Sequence, residues 1–152
     1  MLYYISMDFI ASNEAETKAL GQRLGSLLHG GEVIELVGDV GAGKTTFVKG
    51  LALGLAIDED VQSPSFTISR VYDGRDGLQL AHYDFYRLHD AGIMADELQE
   101  TVSDARIVTV VEWADIVEGV LPASRIRIVF TTPSENERQL TLSGLGLFEA
   151  AL

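Results

Sequence analysis

The chain has no cysteine, which excludes disulfides, thiol nucleophiles and thiolate-held metals. It has no apolar run near the ~18 residues that a membrane span requires. Met1 to Asp8 carry neither a basic region nor a long apolar core, so no secretory signal is expected and the reading is a cytoplasmic protein. Lysine occurs only as Lys18, Lys44 and Lys49 among 11 basic residues, against 23 acidic ones, and the net charge is −12. Such acidity opposes unaided binding to nucleic acid, whose backbone is held mainly by basic surface. Asparagine stands only at positions 13 and 136, which removes the guanine-reading N-K-x-D signature expected of a GTPase. Neither the G-x-S-x-G elbow of serine hydrolases nor the H-E-x-x-H of zinc hydrolases occurs.

What is present is organised around Gly38-Asp39-Val40-Gly41-Ala42-Gly43-Lys44-Thr45-Thr46, a match to the phosphate-loop pattern G-x-x-x-x-G-K-[ST]. The apolar, β-branched run Val33 to Val37 before it reads as a strand, and Thr46 to Leu53 after it as a helix. That order aims backbone N–H groups at a helix N-terminus toward phosphate. Gly38, Gly41 and Gly43 permit a close approach that side chains would block. Lys44 is the expected partner of the β- and γ-phosphates, and the Thr45 hydroxyl an expected Mg²⁺ ligand. The N–H groups from Gly41 through Ala42 to Thr46 do most of the cradling. Asp39 and Thr46 are secondary candidates, Asp39 reading equally as a turn residue.

A length of 152 residues suits one domain, 1–152. Tyr3 to Phe9 alternates as an edge strand. Asn13 caps a first helix, with Glu16 placed as in a capping box. Leu20, Leu24, Leu27 and Leu28 line one face of it, and Gly30-Gly31 stops it near His29. The second helical pattern runs out at Asp58-Glu59-Asp60. Ser63 to Thr67 is an extended or turn segment around Pro64. Ile68 to Tyr72 and Leu78 to Tyr83 form a β-hairpin about the turn Asp73 to Gly77. Ala91 to Thr101 is a short helix. Ile107 to Val111, β-branched throughout, is a central strand covered on both faces. Asp115 to Val120 is a short helix or turn closed by Pro122, Ile126 to Thr131 and Gln139 to Leu142 are strands, and Gly144 to Leu152 ends the chain in a turn or short helix. The fold class is α/β: a P-loop NTPase-like domain, three-layered, with a mixed sheet of parallel and antiparallel strands.

P-loop chemistry also needs an acid at the end of a neighbouring strand. Glu112, after Ile107 to Val111, is the first choice for the metal shell. Asp84, within His82-Tyr83-Asp84-Phe85-Tyr86-Arg87, is the second, able to orient the attacking water or share the Mg²⁺. Each alone reads first as a surface or capping carboxylate; two such acids beside a phosphate loop read as catalytic. Ser63, Ser65 and Thr67 offer hydroxyls to a loop that closes on the γ-phosphate, or serve simple turn chemistry. His29, His82 and His89 form no ligand cluster and read as structural. Trp113 reads as core, and Arg87 as a phosphate contact or a partner for the many acids. With guanine recognition absent, the expected ligands are ATP and Mg²⁺.

Four motifs in this order, the loop 38–46, Ser63-Pro64-Ser65-Phe66-Thr67, His82-Tyr83-Asp84-Phe85-Tyr86-Arg87 and Glu112-Trp113, resemble the TsaE (YjeE) family of small bacterial P-loop ATPases. The loop is shared by very many proteins; the other three at these spacings are specific together, and the likeness runs from about Asn13 to Leu142. The resemblance implies binding of ATP and Mg²⁺, slow hydrolysis alone, and action with TsaD and TsaB on adenosine 37 of tRNAs reading ANN codons. The threonylcarbamoyl transfer would belong to TsaD, the ATPase would reset the complex, and tRNA would be met only through that complex. By position the resemblance makes Thr45 and Glu112 metal ligands, Asp84 an acid needed for hydrolysis, and Ser63 to Thr67 a switch-like loop. It places base contacts at Glu14 and Arg138. Ser65-Phe66 stands where Thr-Tyr is common, with no charged group lost. The expected function is a partner-dependent ATPase in which Lys44, Asp84 and Glu112 carry the chemistry. The rivals are a small-molecule or nucleoside kinase, against which the chain shows no arginine-rich lid, and a non-catalytic, nucleotide-gated assembly module.

Overall fold

The computed structural model describes residues 5–152; Tyr3 and Tyr4 of the expected first strand lie outside them. The elements are β1 (Ser6–Ala11), α1 (Glu14–Leu27), β2 (Val33–Val37), α2 (Lys44–Gly54), β3 (Ser69–Asp73), β4 (Gln79–Asp84), α3 (Met94–Val102), β5 (Ile107–Glu112), β6 (Ile126–Ser134) and β7 (Glu137–Ser143), with 3₁₀ turns at Arg75–Gly77, Ala114–Val117 and Gly146–Ala151. All seven strands join one sheet in the order β1-β7-β6-β2-β5-β4-β3. Strands β6, β2, β5 and β4 are parallel, and β3, β7 and β1 extend the sheet antiparallel. The expected mixed sheet is therefore present, with β1 at one edge. Strand β5 lies between β2 and β4, which is why its branched run carries almost no polar interruption.

One face of the sheet is covered by α1 and α2 over a core that includes Leu24, Ile34, Leu36, Phe47, Leu51, Val110 and Ile128. Among the described residues, the other face is covered only in part. There α3 and the turn Ala114–Val117 bring Leu98, Ala114 and Val117 onto Tyr83 and Val111, whereas Ile10 of β1 and Arg127 of β6 stay exposed. The third layer thus spans half of the sheet.

The two helices of the first layer meet backbone to backbone. A Cβ on Gly50 would run into the Lys18 carbonyl, one on Gly21 into that of Phe47, and one on Gly25 into that of Leu51. This close crossing fixes the start of α2, and the loop before it, against the start of α1. Leucine periodicity shows that α1 is amphipathic but not which glycines let α2 approach.

Helix α2 differs at both ends from its expected span. It begins at Lys44 because Gly43 (φ 102°) is its left-handed cap. It ends at Gly54, short of Asp58, because Ala56 (φ 59°) turns left-handed. The Ala56 N–H donates to the Leu53 carbonyl at 3.0 Å and the Ile57 N–H to that of Ala52 at 2.9 Å, the pattern that usually takes a glycine. The apolar run Leu55-Ala56-Ile57 hides this turn. Beyond it, Arg75 in the β3–β4 turn donates to the Leu28 carbonyl at 2.8 Å and also to that of Gly54. One guanidinium so satisfies terminal carbonyls of both α1 and α2.

Candidate functional site

The parallel strands β2, β4 and β5 end together, and the glycine loop leaves β2 at that end, where open α/β sheets place their ligands. A cavity of about 250 Å³ lies there, lined by Glu14, Val40, Gly41, Gly43, Lys44, Thr45, Thr46, Ser63, Ser65, Asp84, Tyr86, Glu112 and Trp113. In the loop, the Ala42 N–H donates to the Asp39 carbonyl at 3.1 Å and the Phe47 N–H to that of Gly43 at 3.0 Å. Gly41 (φ 83°) and Gly43 (φ 102°) both take the left-handed conformation, open to glycine at no steric cost. Lys44, Thr45 and Thr46 open α2, so their N–H groups have no acceptor within the helix and carry its positive end.

Lys44 and two acids converge beneath this loop. Lys44 is 6% exposed, Glu112 3% and Asp84 4%. The Lys44 Nζ donates to the Gly38 carbonyl at 2.6 Å, lies 3.7 Å from Glu112 Oε1 and sits 4.3 Å from the centre of the Trp113 ring. The other Glu112 oxygen is 2.5 Å from Nε2 of His82. Asp84 and Glu112 are register partners on adjacent strands, so both project to the same face.

Asp84 is held by the segment 63–67. Its Oδ2 accepts from Ser65 Oγ at 3.2 Å, with Ser63 Oγ at 3.5 Å. The two hydroxyls are 2.8 Å apart, and Oδ1 accepts the Tyr86 N–H at 2.9 Å. Ser63 and Ser65 therefore face the cavity. Thr67 does not line it; its N–H donates to the Pro64 carbonyl at 3.1 Å.

Glu14, Gly41, Gly43, Lys44, Thr45, Thr46, Asp84 and Glu112 all line the cavity, while Ala42 is buried behind the loop. Asp39 is exposed and borders a smaller cavity of about 180 Å³ on the far side of Lys44 and Trp113. Arg138 does not line either cavity; its Nη1 donates to the carbonyls of Glu135 and Glu137 at 3.4 and 3.1 Å. It lies in register with Ala11, just before α1. Arg87 stacks on the Phe66 ring at 4.5 Å.

Two residues carry more than sequence reasoning assigned them. Trp113, read as core, is a cavity wall: at φ 55° it turns the chain left-handed after β5, a rare conformation for so bulky a residue, and it packs on Tyr86 with ring centres 4.8 Å apart. His82, read as structural, touches Glu112. The signal for it was the H-x-D spacing, which puts both side chains on one face of a strand.

The oxygen donors of Thr45, Asp84 and Glu112 suit Mg²⁺, a hard cation usually held by one or two carboxylates together with substrate phosphates. Among the described residues no three His, Asp or Glu side chains gather into a metal cage of their own.

The family described as "Threonylcarbamoyl adenosine biosynthesis protein TsaE" matches residues 11–140. The Bacillus subtilis protein named "tRNA threonylcarbamoyladenosine biosynthesis protein TsaE" is 41% identical over 135 residues, covering 88% of this chain and 83% of its own. The Treponema pallidum protein of the same name is 37% identical over 137 residues, covering 90% and 100%. The crystal structure of YdiB from Bacillus subtilis superposes with a TM-score of 0.79 at 34% identity, over 99% of this chain and 94% of that one. Every residue lining the larger cavity falls within the matched span, and the chain belongs to the TsaE family.

Proposed function

We propose that this protein, acting as one unit over 1–152, is the Mg²⁺-dependent ATPase of tRNA threonylcarbamoyladenosine synthesis and works in the cytoplasm with TsaD and TsaB. The observation that carries this reading is the convergence of buried Lys44, Glu112 and Asp84 on one cavity at the N-terminus of α2. A charged trio held at such low exposure is costly without a charged ligand to complete it.

The residues divide the work by position. The N–H groups of Lys44, Thr45 and Thr46 receive the phosphates. Lys44 exchanges the neutral Gly38 carbonyl for phosphate oxygens, so that a cation meets an anion and not an uncharged acceptor. Thr45 and Glu112 would hold Mg²⁺, which supplies neutralisation of phosphate charge when bound. Asp84 orients the attacking water, with one oxygen fixed by the Tyr86 N–H and the other released as Ser63 and Ser65 rearrange. Glu14 contacts the nucleoside from the cavity wall, and Arg138, which lies outside the cavity, would have to leave the Glu135 and Glu137 carbonyls to join it. The net charge of −12 supports a tRNA carried by the partners.

The test is ATP hydrolysis and tRNA modification by the protein reconstituted with TsaD and TsaB, for the wild type, Asp84→Ala and Glu112→Ala. Both variants are expected to lose hydrolysis and repeated modification. Wild-type modification by both would sink the role assignment. Nucleoside phosphorylation far faster than hydrolysis would establish a kinase, and multiple rounds of modification with a non-hydrolysable analogue would establish a nucleotide-gated assembly module.

A further inference from the structure

We propose that His82 is a positioning residue for Glu112, holding one carboxylate oxygen so that the other stays open to the cavity. The inference rests on the reading above, in which Glu112 serves the Mg²⁺–nucleotide site. His82 is fully buried on β4, two residues before Asp84. It is in register with Val110 of β5, while Asp84 is in register with Glu112. The imidazole makes one polar contact among the described residues: Nε2 lies 2.5 Å from Glu112 Oε2, and Nδ1 has no partner.

The one contact fixes the tautomer. An unprotonated Nε2 would set its lone pair against those of a carboxylate, so Nε2 carries the proton and donates. Glu112 Oε1 then stands 3.7 Å from the Lys44 Nζ, beyond hydrogen-bond range. Without the restraint on Oε2, the carboxylate is free to swing into a tight pair with Lys44. That collapse would take away both the cation meant for phosphate and the oxygen meant for metal. A partner behind a ligating carboxylate is typically worth about 10- to 100-fold in metal affinity.

The test is the affinity of the full chain for a fluorescent ADP analogue, titrated against free Mg²⁺, for the wild type, His82→Gln and His82→Asn. The glutamine amide reaches the place of Nε2 and can still donate to Glu112; the asparagine amide reaches only that of Nδ1. His82→Gln is expected to need Mg²⁺ within about 3-fold of wild type, and His82→Asn at least ~10-fold more, with little change in affinity when Mg²⁺ is absent. Thermal unfolding midpoints checked alongside separate this from a loss of folding. An unchanged Mg²⁺ requirement in His82→Asn, or equal losses in both variants, overturns the inference while leaving the functional reading intact. A wild type whose nucleotide affinity ignores Mg²⁺ overturns the functional reading and this inference with it.

Discussion

Two glutamates are buried in neighbouring strands of the parallel sheet, and they are held in opposite ways. Glu35 of β2 is 5% exposed, close to the 3% of Glu112 on β5. Their faces differ: Glu35 is in register with Val111, whereas Glu112 is in register with Leu36, under the helical layer. Glu35 is answered by guanidinium groups. Arg125 Nε donates to it at 2.9 Å, and Arg127 Nε lies at 3.5 Å. Arg125 also holds Glu118 at 2.5 Å and the Pro122 carbonyl at 3.1 Å. Burial works against the charge on Arg125, but the hydrogen bonds to Glu35 and Glu118 outweigh it and raise the guanidinium above its ordinary range. Glu112 has an imidazole on one oxygen and a lysine beyond bonding distance on the other, and that lysine rests on the Gly38 carbonyl, which phosphate would replace in the proposed function. Two carboxylates of one type and one burial therefore differ in whether their partners are committed. A buried charge marks a site when its cation still has somewhere else to go.

The largest difference between the two carboxylates is expected at Glu112. Glu112→Gln is expected to lower ATP hydrolysis by ~10²-fold or more, the usual loss for a group acting on developing charge, with an unfolding midpoint close to wild type. Hydrolysis within a few-fold of wild type would make Glu112 a second Glu35. Glu35→Gln is the mirror experiment. It strips the buried partner from Arg125 and is expected to cost about 3 kcal/mol, read as a fall of roughly 6–12 °C in melting temperature. Hydrolysis per folded molecule should not change. Replacing Glu35 and Arg125 together, by Leu and Met, should cost less than Glu35→Gln alone, because no guanidinium is then left buried with only the exposed Glu118 to answer its charge. A double variant less stable than the single one would mean that the pair holds more than itself.

The closed site was less legible in the sequence than the open one. The loop pattern, the apolar run Ile107 to Val111 and the acids Asp84 and Glu112 at strand ends are local features, and they lead to the cavity at the ends of β2, β4 and β5. Glu35 sits inside a strand that reads as apolar, and its partner Arg125 comes 90 residues later in the chain, a pairing that no periodicity announces. The same holds for the Gly50 backbone meeting Lys18, for the left-handed Ala56 that ends α2, and for the insertion of β7 between β1 and β6. Each depends on a partner that only the folded chain supplies. The surroundings of Trp113 and His82 escape sequence patterns for a related reason: the Lys44, Tyr86 and Glu112 side chains beside them come from other segments of the chain.

Arg127 is the more weakly placed of the two cations at Glu35. It approaches the same Glu35 oxygen that Arg125 bonds, but its Nε is 3.5 Å away and its side chain is 48% exposed. Water competes for that guanidinium at every moment, and exposed pairs at such distances are typically worth about 0–1 kcal/mol. Arg127→Ala is expected to lower stability by no more than about 0.5 kcal/mol, a shift of roughly 2 °C or less. A much larger loss would mean that Glu35 needs both cations. A shift that shrinks further as salt is raised, while the Arg125→Ala shift persists, would show that one partner holds the glutamate from inside the fold and the other only from its surface.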